Sequence, residues 1–382
     1  MKVLFIASWF PSRVHPTHGN FVAKHARLVA KAEDLTVLSI QDDPSLPMGQ
    51  RETIERREDG YTLIQVLFGQ PPGTSSFCKV WSRWGAYESG MQRIRKAIGL
   101  PDILHAHVLL DAGIIAGYWA KQWNLPYLIT EHSTAYHQRG ALPGLRGVLG
   151  RWAARHAAFI LPVSRQLGQS MRNKNLLKGN YRQVSNVVNT DVFHYVPPPP
   201  QEPFVFLHVS NFDDGHKNIS GLLAAFQVVC SRTDRPVQLS IAGDGALATL
   251  LTKIKAYNFC AGQIVVSGPH TELEIAALLQ QCHAFVLPSH VENEPVVLLE
   301  AQAAGRPCIA SRVGGIPEII NDANVGILIE VRNNGQLVEA MLTLMREYDD
   351  YDLPRIRQSA LGRYGEAAVL TALQSCYQAA VG

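Results

Sequence analysis

The stretch 289–311, SHVENEPVVLLEAQAAGRPCIAS, carries two glutamates, Glu292 and Glu300, with seven residues between them. Pro295 suits the first position of a helix, and the residue before a proline resists helical geometry. Glu292, Asn293 and Glu294 therefore fall in a loop after the strand-like run AFVLPS. The amides of Val296, Val297 and Leu298 are then expected to be free, an arrangement suited to a phosphate or diphosphate. The helix is apolar at 296–299, 301, 303 and 304, on every side, so it should be buried. Burying even a neutral polar group without a partner costs about 2 to 7 kcal/mol, and an ionised Glu300 costs more. A pair of ribose hydroxyls would satisfy that carboxylate. A backbone amide or an arginine of the chain would satisfy it too, and Glu292 has the alternative of a solvated loop position.

Outward from this stretch the pattern is regular. Short apolar runs, each followed by a helical pattern, recur as KVLFIAS, LTVLSI, YTLIQVLF, DILHAHV, PYLIT and AFILPVS. They resume as FVFLHVS, VQLSIAG, QIVVSG, AFVLPS, PCIAS and VGILIE. Continuous apolar strands alternating with helices mean parallel sheets covered on both faces. The length of 382 residues exceeds what one core supports, so two α/β domains are expected. The run YVPPPPQEP between the series reads as an extended hinge. The expected division is 1–196, a hinge at 197–203, and 204–363. A closing helix over 364–382 is a candidate to complete the first domain. Ligands of doubly wound sheets bind beyond the carboxyl ends of the strands, so a cleft between the two domains is the expected site.

Charge separates the halves. Residues 1–200 hold 23 Lys and Arg against 13 Asp and Glu, and residues 201–382 hold 12 against 19. An anionic partner for the first half follows, such as phosphate or a membrane surface. Nucleic acid has only this charge in its favour and no motif, and it is excluded. The six cysteines lack C-x-x-C spacing, which argues against a zinc cage or a disulfide framework. No apolar run reaches the roughly 18 residues that cross a bilayer. The opening MKVLFIASWFPSR reads as a first strand, and a cytoplasmic location is expected.

The wider segment PSHVENEPVVLLEAQAAGRPCIASRVGGIPEII resembles the signature of the family 4 retaining glycosyltransferases. The likeness runs through Glu292, Glu300, Gly305, Pro307, Gly314, Gly315, Pro317 and Glu318 and extends to Gly19, DILHAH, HVSNFDDGHKN and IAGDG. It covers nearly the whole chain. The resemblance implies a GT-B fold, two Rossmann-like doubly wound domains facing each other across a cleft. It also implies transfer of a sugar from a nucleotide diphosphate donor to a hydroxyl, with no cofactor and no metal.

By the same resemblance Glu300 holds the ribose, Glu292 approaches the transferred sugar, and Lys217 meets the diphosphate together with the amides at 296–298. His107 bonds the sugar or its phosphate, and Gly19 lets backbone approach the diphosphate or the acceptor. Gly268 sits beside the base. The family arginine some five residues before Lys217 is absent, so either Asn211 or His216 contributes instead or the charge comes from the other domain. Asp213 and Asp214 beside Lys217 are not read as metal ligands. In the first domain Glu131 and His132 are acceptor-side candidates, Asp111 is expected to cap a helix, and His105 to face away from His107.

Two clusters, KVWSRWGAYESGMQRIRK and HQRGALPGLRGVLGRWAARHAAFI, interleave arginine with tryptophan and leucine. Such sequence suits a headgroup surface, so a lipid-linked or glycan acceptor at an anionic membrane is the expectation. Amphipathic helices covering a sheet are the alternative. A nucleotide-sugar epimerase or hydrolase of the same fold and a non-catalytic nucleotide-sugar binder remain as other readings of the whole chain. A dinucleotide oxidoreductase ranks lowest, because SWFPSRVHPTHGN holds no G-x-G-x-x-G.

Overall fold

The computed structural model describes residues 1–70, 73, 75–200, 202–260 and 263–382; Gln201, inside the expected hinge, lies outside them. The chain divides into two compact units, one of residues 1–187 and 369–382, the other of residues 188–368.

The first unit is built on β1 (Lys2–Ala7), β2 (Asp34–Asp43), β3 (Arg51–Glu58), β4 (Tyr61–Gly69), β5 (Ile103–His107), β6 (Tyr127–Glu131) and β7 (Phe159–Pro162). Their order is β3-β4-β2-β1-β5-β6-β7, parallel except for β3, which runs antiparallel to β4. Both faces are covered. Leu4 and Ile6 of β1 enter one core and Val3 and Phe5 the other, all fully buried, which is why the strand reads as an unbroken apolar run. The second core is completed by Val369, Leu373, Cys376 and Tyr377 of the closing helix Glu366–Val381.

The second unit follows with β8 (Phe204–Ser210), β9 (Val237–Gly243), β10 (Ile264–Ser267), β11 (Ala284–Leu287), β12 (Cys308–Ser311) and β13 (Gly326–Ile329). The order is β10-β9-β8-β11-β12-β13, parallel throughout. Strand order reverses between β8 and β11, as it does between β1 and β5 in the first sheet. Such switch points leave a crevice beyond the strand ends, where ligands of doubly wound sheets bind.

The unit boundary differs from the expected hinge. The chain leaves the first unit at Val187, ahead of the proline run, and the segment leading to the prolines belongs to the second unit. Arg306, fully buried, holds it there by donating to the Val196 carbonyl at 2.9 Å and to those of Leu279 and Gln280.

Candidate active site

In the second unit the loops after β8 and β11 flank the switch point. Asp213 caps a short turn, Asp214–Lys217, and its carboxylate pairs with His216 at 2.8 Å. Asp214 accepts from the Ser220 amide at 2.8 Å, from the Ser220 hydroxyl at 2.6 Å and from the Lys253 ammonium. Burial pushes its pKa up, but these three donors outweigh that and hold it at about 2. Both aspartates are thus engaged in shaping the loop that presents Lys217.

The second loop is tied to the first. The His290 amide donates to the His216 carbonyl at 2.7 Å, and the Lys217 ammonium lies 2.6 Å from Oε1 of Glu292. Glu292 is itself fixed from a third direction. Gly314, at φ 56°, approaches so closely that a Cβ there would stand 1.9 Å from the Glu292 carbonyl oxygen, and the Gly315 amide donates to the Asn293 carbonyl at 2.6 Å. The glycine pair of VGG is therefore a clamp on the Glu292 backbone.

Helix Val296–Ala303 starts directly after this loop, with Pro295 as its cap residue. The Val296 and Val297 amides make no hydrogen bond among the described residues. The Leu298 amide departs from expectation: it donates to the Pro295 carbonyl at 3.0 Å and is not free, because the first turn already closes on the proline. Glu300 lies on this helix, 3% exposed. Asn211 is exposed at the end of β8, and a Cβ on Gly268, after β10, would meet nothing within 4 Å, so the surface beside it is open. Gly243 holds the neighbouring strand end in register, a Cβ there falling 1.7 Å from the Ser210 carbonyl.

In the first unit several expectations change. Gly19 (φ 78°) packs on the chain itself: a Cβ would lie 2.4 Å from the carbonyl carbon of Trp9. Its glycine identity is explained by that contact and needs no ligand. His105 does not turn away from His107. Residues two apart share a face of a strand, and the rings stack with centroids 4.6 Å apart. His105 is held between the Tyr377 hydroxyl at 2.8 Å and the Thr130 hydroxyl at 2.6 Å.

His107 is fully buried; its Nδ1 is 3.4 Å from Nε2 of His132, and its Nε2 has no partner among the described residues. Burial drives the pKa of both rings well below that of an ordinary histidine. Glu131, fully buried, spends both carboxylate oxygens on the amides of Leu109, His132 and Ser133, each at 2.8 Å. It organises the loops after β5 and β6 and leaves no oxygen idle for an acceptor. Burial raises its pKa against the pull of those amides. Asp111 caps no helix, since the next helix begins at Ile114 with Gly113 as its cap. Its carboxylate instead meets two guanidinium groups, Arg83 at 2.5 Å and Arg146 at 2.8 Å.

Comparison with known proteins identifies the chain. A family model described as glycosyl transferases group 1 matches residues 190–365, and one described as a glycosyl transferase 4-like domain matches residues 13–187. The chain belongs to the family 4 glycosyltransferases. Among curated proteins this glycosyltransferase is 25% identical to the N-acetyl-alpha-D-glucosaminyl L-malate synthase of Bacillus anthracis, over 72% of the chain and 74% of the relative. Its fold matches that of sucrose-phosphate synthase from Thermosynechococcus elongatus, with a TM-score of 0.78 at 17% identity, over 99% of this chain and 98% of that one. It also matches Anabaena HepE in complex with UDP-glucose, with a TM-score of 0.72 at 14% identity, over 99% and 100% of the two chains. The two sheets are those of a GT-B enzyme.

Two features of this glycosyltransferase escape a reading of sequence. His25, His107 and His132 each offer a ring nitrogen within 4.8 Å of the others, the group of described residues best able to supply three nitrogen ligands. His25 comes from the first helix, and nothing in HARLVAK marks it. The other feature is the Arg83–Asp111–Arg146 cluster, drawn from three separate segments. Its two arginines stand within the basic, tryptophan-bearing clusters, but only the fold shows that they share a carboxylate.

Proposed function

We propose that this glycosyltransferase moves a sugar from a nucleotide diphosphate sugar, UDP- or GDP-linked, to a hydroxyl acceptor, with retention at the anomeric carbon and without a metal. The acceptor class is a lipid-linked or glycan intermediate of polysaccharide or glycolipid assembly. The observation that carries this reading is the Lys217–Glu292 pair, 2.6 Å apart, set beside the unbonded Val296 and Val297 amides at a switch point. The solved complex of HepE with UDP-glucose, on the same fold, supports the choice of donor.

Donor binding would separate the pair: Lys217 and the two amides take the diphosphate, Glu292 a sugar hydroxyl, and Glu300 the ribose. In the transfer the bond between the anomeric carbon and the phosphate oxygen breaks, and the nucleoside diphosphate leaves with the electron pair. A bond forms from the acceptor oxygen to the same face of the sugar, and the acceptor proton passes to the departing phosphate oxygen. Charge grows on that oxygen as the bond opens, so an ammonium and a helix start aimed at it favour the transition state over the bound donor. The unpartnered Nε2 of His107 supports a bond to the sugar or its phosphate. His132, buried and hydrogen-bonded to His107, is placed to orient that ring.

The test is a thermal-shift screen of nucleoside diphosphates and nucleotide sugars, followed by transfer with the stabilising donor in the presence of EDTA. A ligand at 100 times its dissociation constant stabilises by about 2.7 kcal/mol. Absence of stabilisation by every nucleotide removes the donor site. Turnover abolished by EDTA and restored by a divalent cation removes the metal-free mechanism. Product with inverted configuration, read by proton NMR, removes retention.

A further inference from the structure

The first unit contains a cavity of about 340 Å³ at the carboxyl end of its sheet, lined among others by Trp9, Gln41, Asp42, Arg83, Asp111 and Arg146. Three properties set it apart from a packing defect. Gln41 is 5% exposed, and its amide nitrogen is spent on the Phe10 carbonyl and the Ser39 hydroxyl, yet its Oε1 has no partner among the described residues. A buried acceptor left open costs stability unless a ligand donates to it. The wall between Val108 and Asp111 is strained, with φ 77° at Val108 and 71° at Asp111, neither a glycine. Such backbone persists where surrounding bonds enforce it and clusters at ligand sites. Finally, Arg83 and Arg146 share the single carboxylate of Asp111, and Asp42, the other carboxylate of the lining, pairs with neither guanidinium among the described residues.

The two helices that carry the cavity arginines have a distinct surface chemistry. Arg83 stands on helix Ser76–Ile98, flanked by Val80 (69% exposed), Trp81 (64%) and Trp84. Arg146 stands on helix Gly144–His156, flanked by Leu145 (74% exposed), Val148 (58%) and Leu149. Both cavity arginines are thus bordered by large apolar side chains in water. The second helix carries Arg146, Arg151 and Arg155 and no acidic residue; the first carries five basic residues against Glu88. Apolar side chains interleaved with unbalanced positive charge complement an anionic lipid surface, into which the former insert and to which the latter are drawn.

We infer that these two helices dock on an anionic membrane, and that the cavity between their arginines receives the phosphate-bearing headgroup of the lipid acceptor. A phosphate oxygen pair matches the guanidinium fork and competes with Asp111 for it. The open Gln41 oxygen accepts from a hydroxyl of the same headgroup. This deepens the proposed function and rests on it for the word acceptor; the docking surface stands without it.

The experiment is flotation of the full chain with vesicles of phosphatidylcholine containing phosphatidylglycerol, and with phosphatidylcholine alone, at low and high salt. The chain is expected to float with the anionic vesicles at low salt and to be released by high salt. The triple variant Trp81→Ser, Leu145→Ser, Val148→Ser is expected to lose about tenfold or more in vesicle affinity. Arg83→Gln with Arg146→Gln is expected to remove the preference for anionic over neutral vesicles. A far-UV circular dichroism spectrum and a cooperative urea transition like those of the native chain report that each variant is folded. Background flotation of the native chain overturns the inference, as does native-level flotation of the triple variant. Flotation without any nucleotide stabilisation removes the donor reading and leaves the docking surface in place.

Discussion

The ammonium of Lys217 and the carboxylate of Glu292 are 2.6 Å apart although 75 residues separate them in the chain, and both side chains are largely buried, at 19% and 9% exposed. Removing one partner of such a pair strands the other charge, a loss of about 3 kcal/mol at the low end for buried pairs. Lys217→Ala should therefore lower both stability and turnover. Lys217→Ala combined with Glu292→Ala should restore part of the stability and none of the turnover. Urea unfolding of the two single variants and the double variant measures the coupling. Additive losses would mean that the contact carries no energy in the free protein.

Glu300 tests the ribose assignment separately. A hydrogen bond to a charged group contributes about 1.5 to 3 kcal/mol. Glu300→Ala should accordingly weaken nucleoside diphosphate binding by roughly ten- to a hundredfold in calorimetry. Turnover at saturating donor should fall much less than in Lys217→Ala. The reverse ordering of the two variants would exchange the roles of these residues.

The strands that sequence makes legible are those buried on both faces, such as KVLFIA and AFVL, where burial demands an unbroken apolar run. The strand it hides is β3, RETIERRE, an edge strand whose alternating charges face water and guard the sheet edge. The site is legible as two acidic positions and a helix start, because those are local. The pairing of Lys217 with Glu292 is not local: it depends on β8 and β11 being neighbours in the sheet, which chain order conceals. The unit boundary was equally hidden. Prolines mark a stiff segment, whereas the boundary at Val187 is set by which core each side chain joins, and Arg306 draws the following segment to the second unit.

Gly314 offers a test of the clamp on Glu292. An alanine there must adopt φ 56°, at about 1 to 2 kcal/mol, and its Cβ must also displace the Glu292 carbonyl, since no room exists at 1.9 Å. Gly314→Ala should lower the melting temperature by at least about 2 to 4 °C, given roughly that shift per kcal/mol in a domain of this size. It should also reduce turnover more than Gly268→Ala, whose Cβ meets nothing within 4 Å. Equal activity of the two variants would show that the position of Glu292 does not govern transfer.

The buried histidines make stability depend on pH with a definite sign. Unfolded histidines take up a proton near pH 6.5. In the fold, burial holds His25 and His208 at about 4 and His105 at about 3, and pushes His107 and His132 well below the ordinary value. Between the folded and unfolded values the unfolded chain binds more protons. Stability is therefore fully present above about pH 6.5 and is lost as pH falls toward 4. A displacement of one pH unit corresponds to about 1.4 kcal/mol, so each histidine held at about 4 should cost on the order of 2 kcal/mol by pH 5. Urea midpoints at pH 7.5 and pH 5 check this. His105→Gln should lower stability at pH 7.5, through lost bonds to Tyr377 and Thr130, and yet flatten the decline toward pH 5. A native chain equally stable at both pH values would mean that these rings are protonated in the fold. The stacking of His105, His107 and His132 around uncharged nitrogens would then need another explanation.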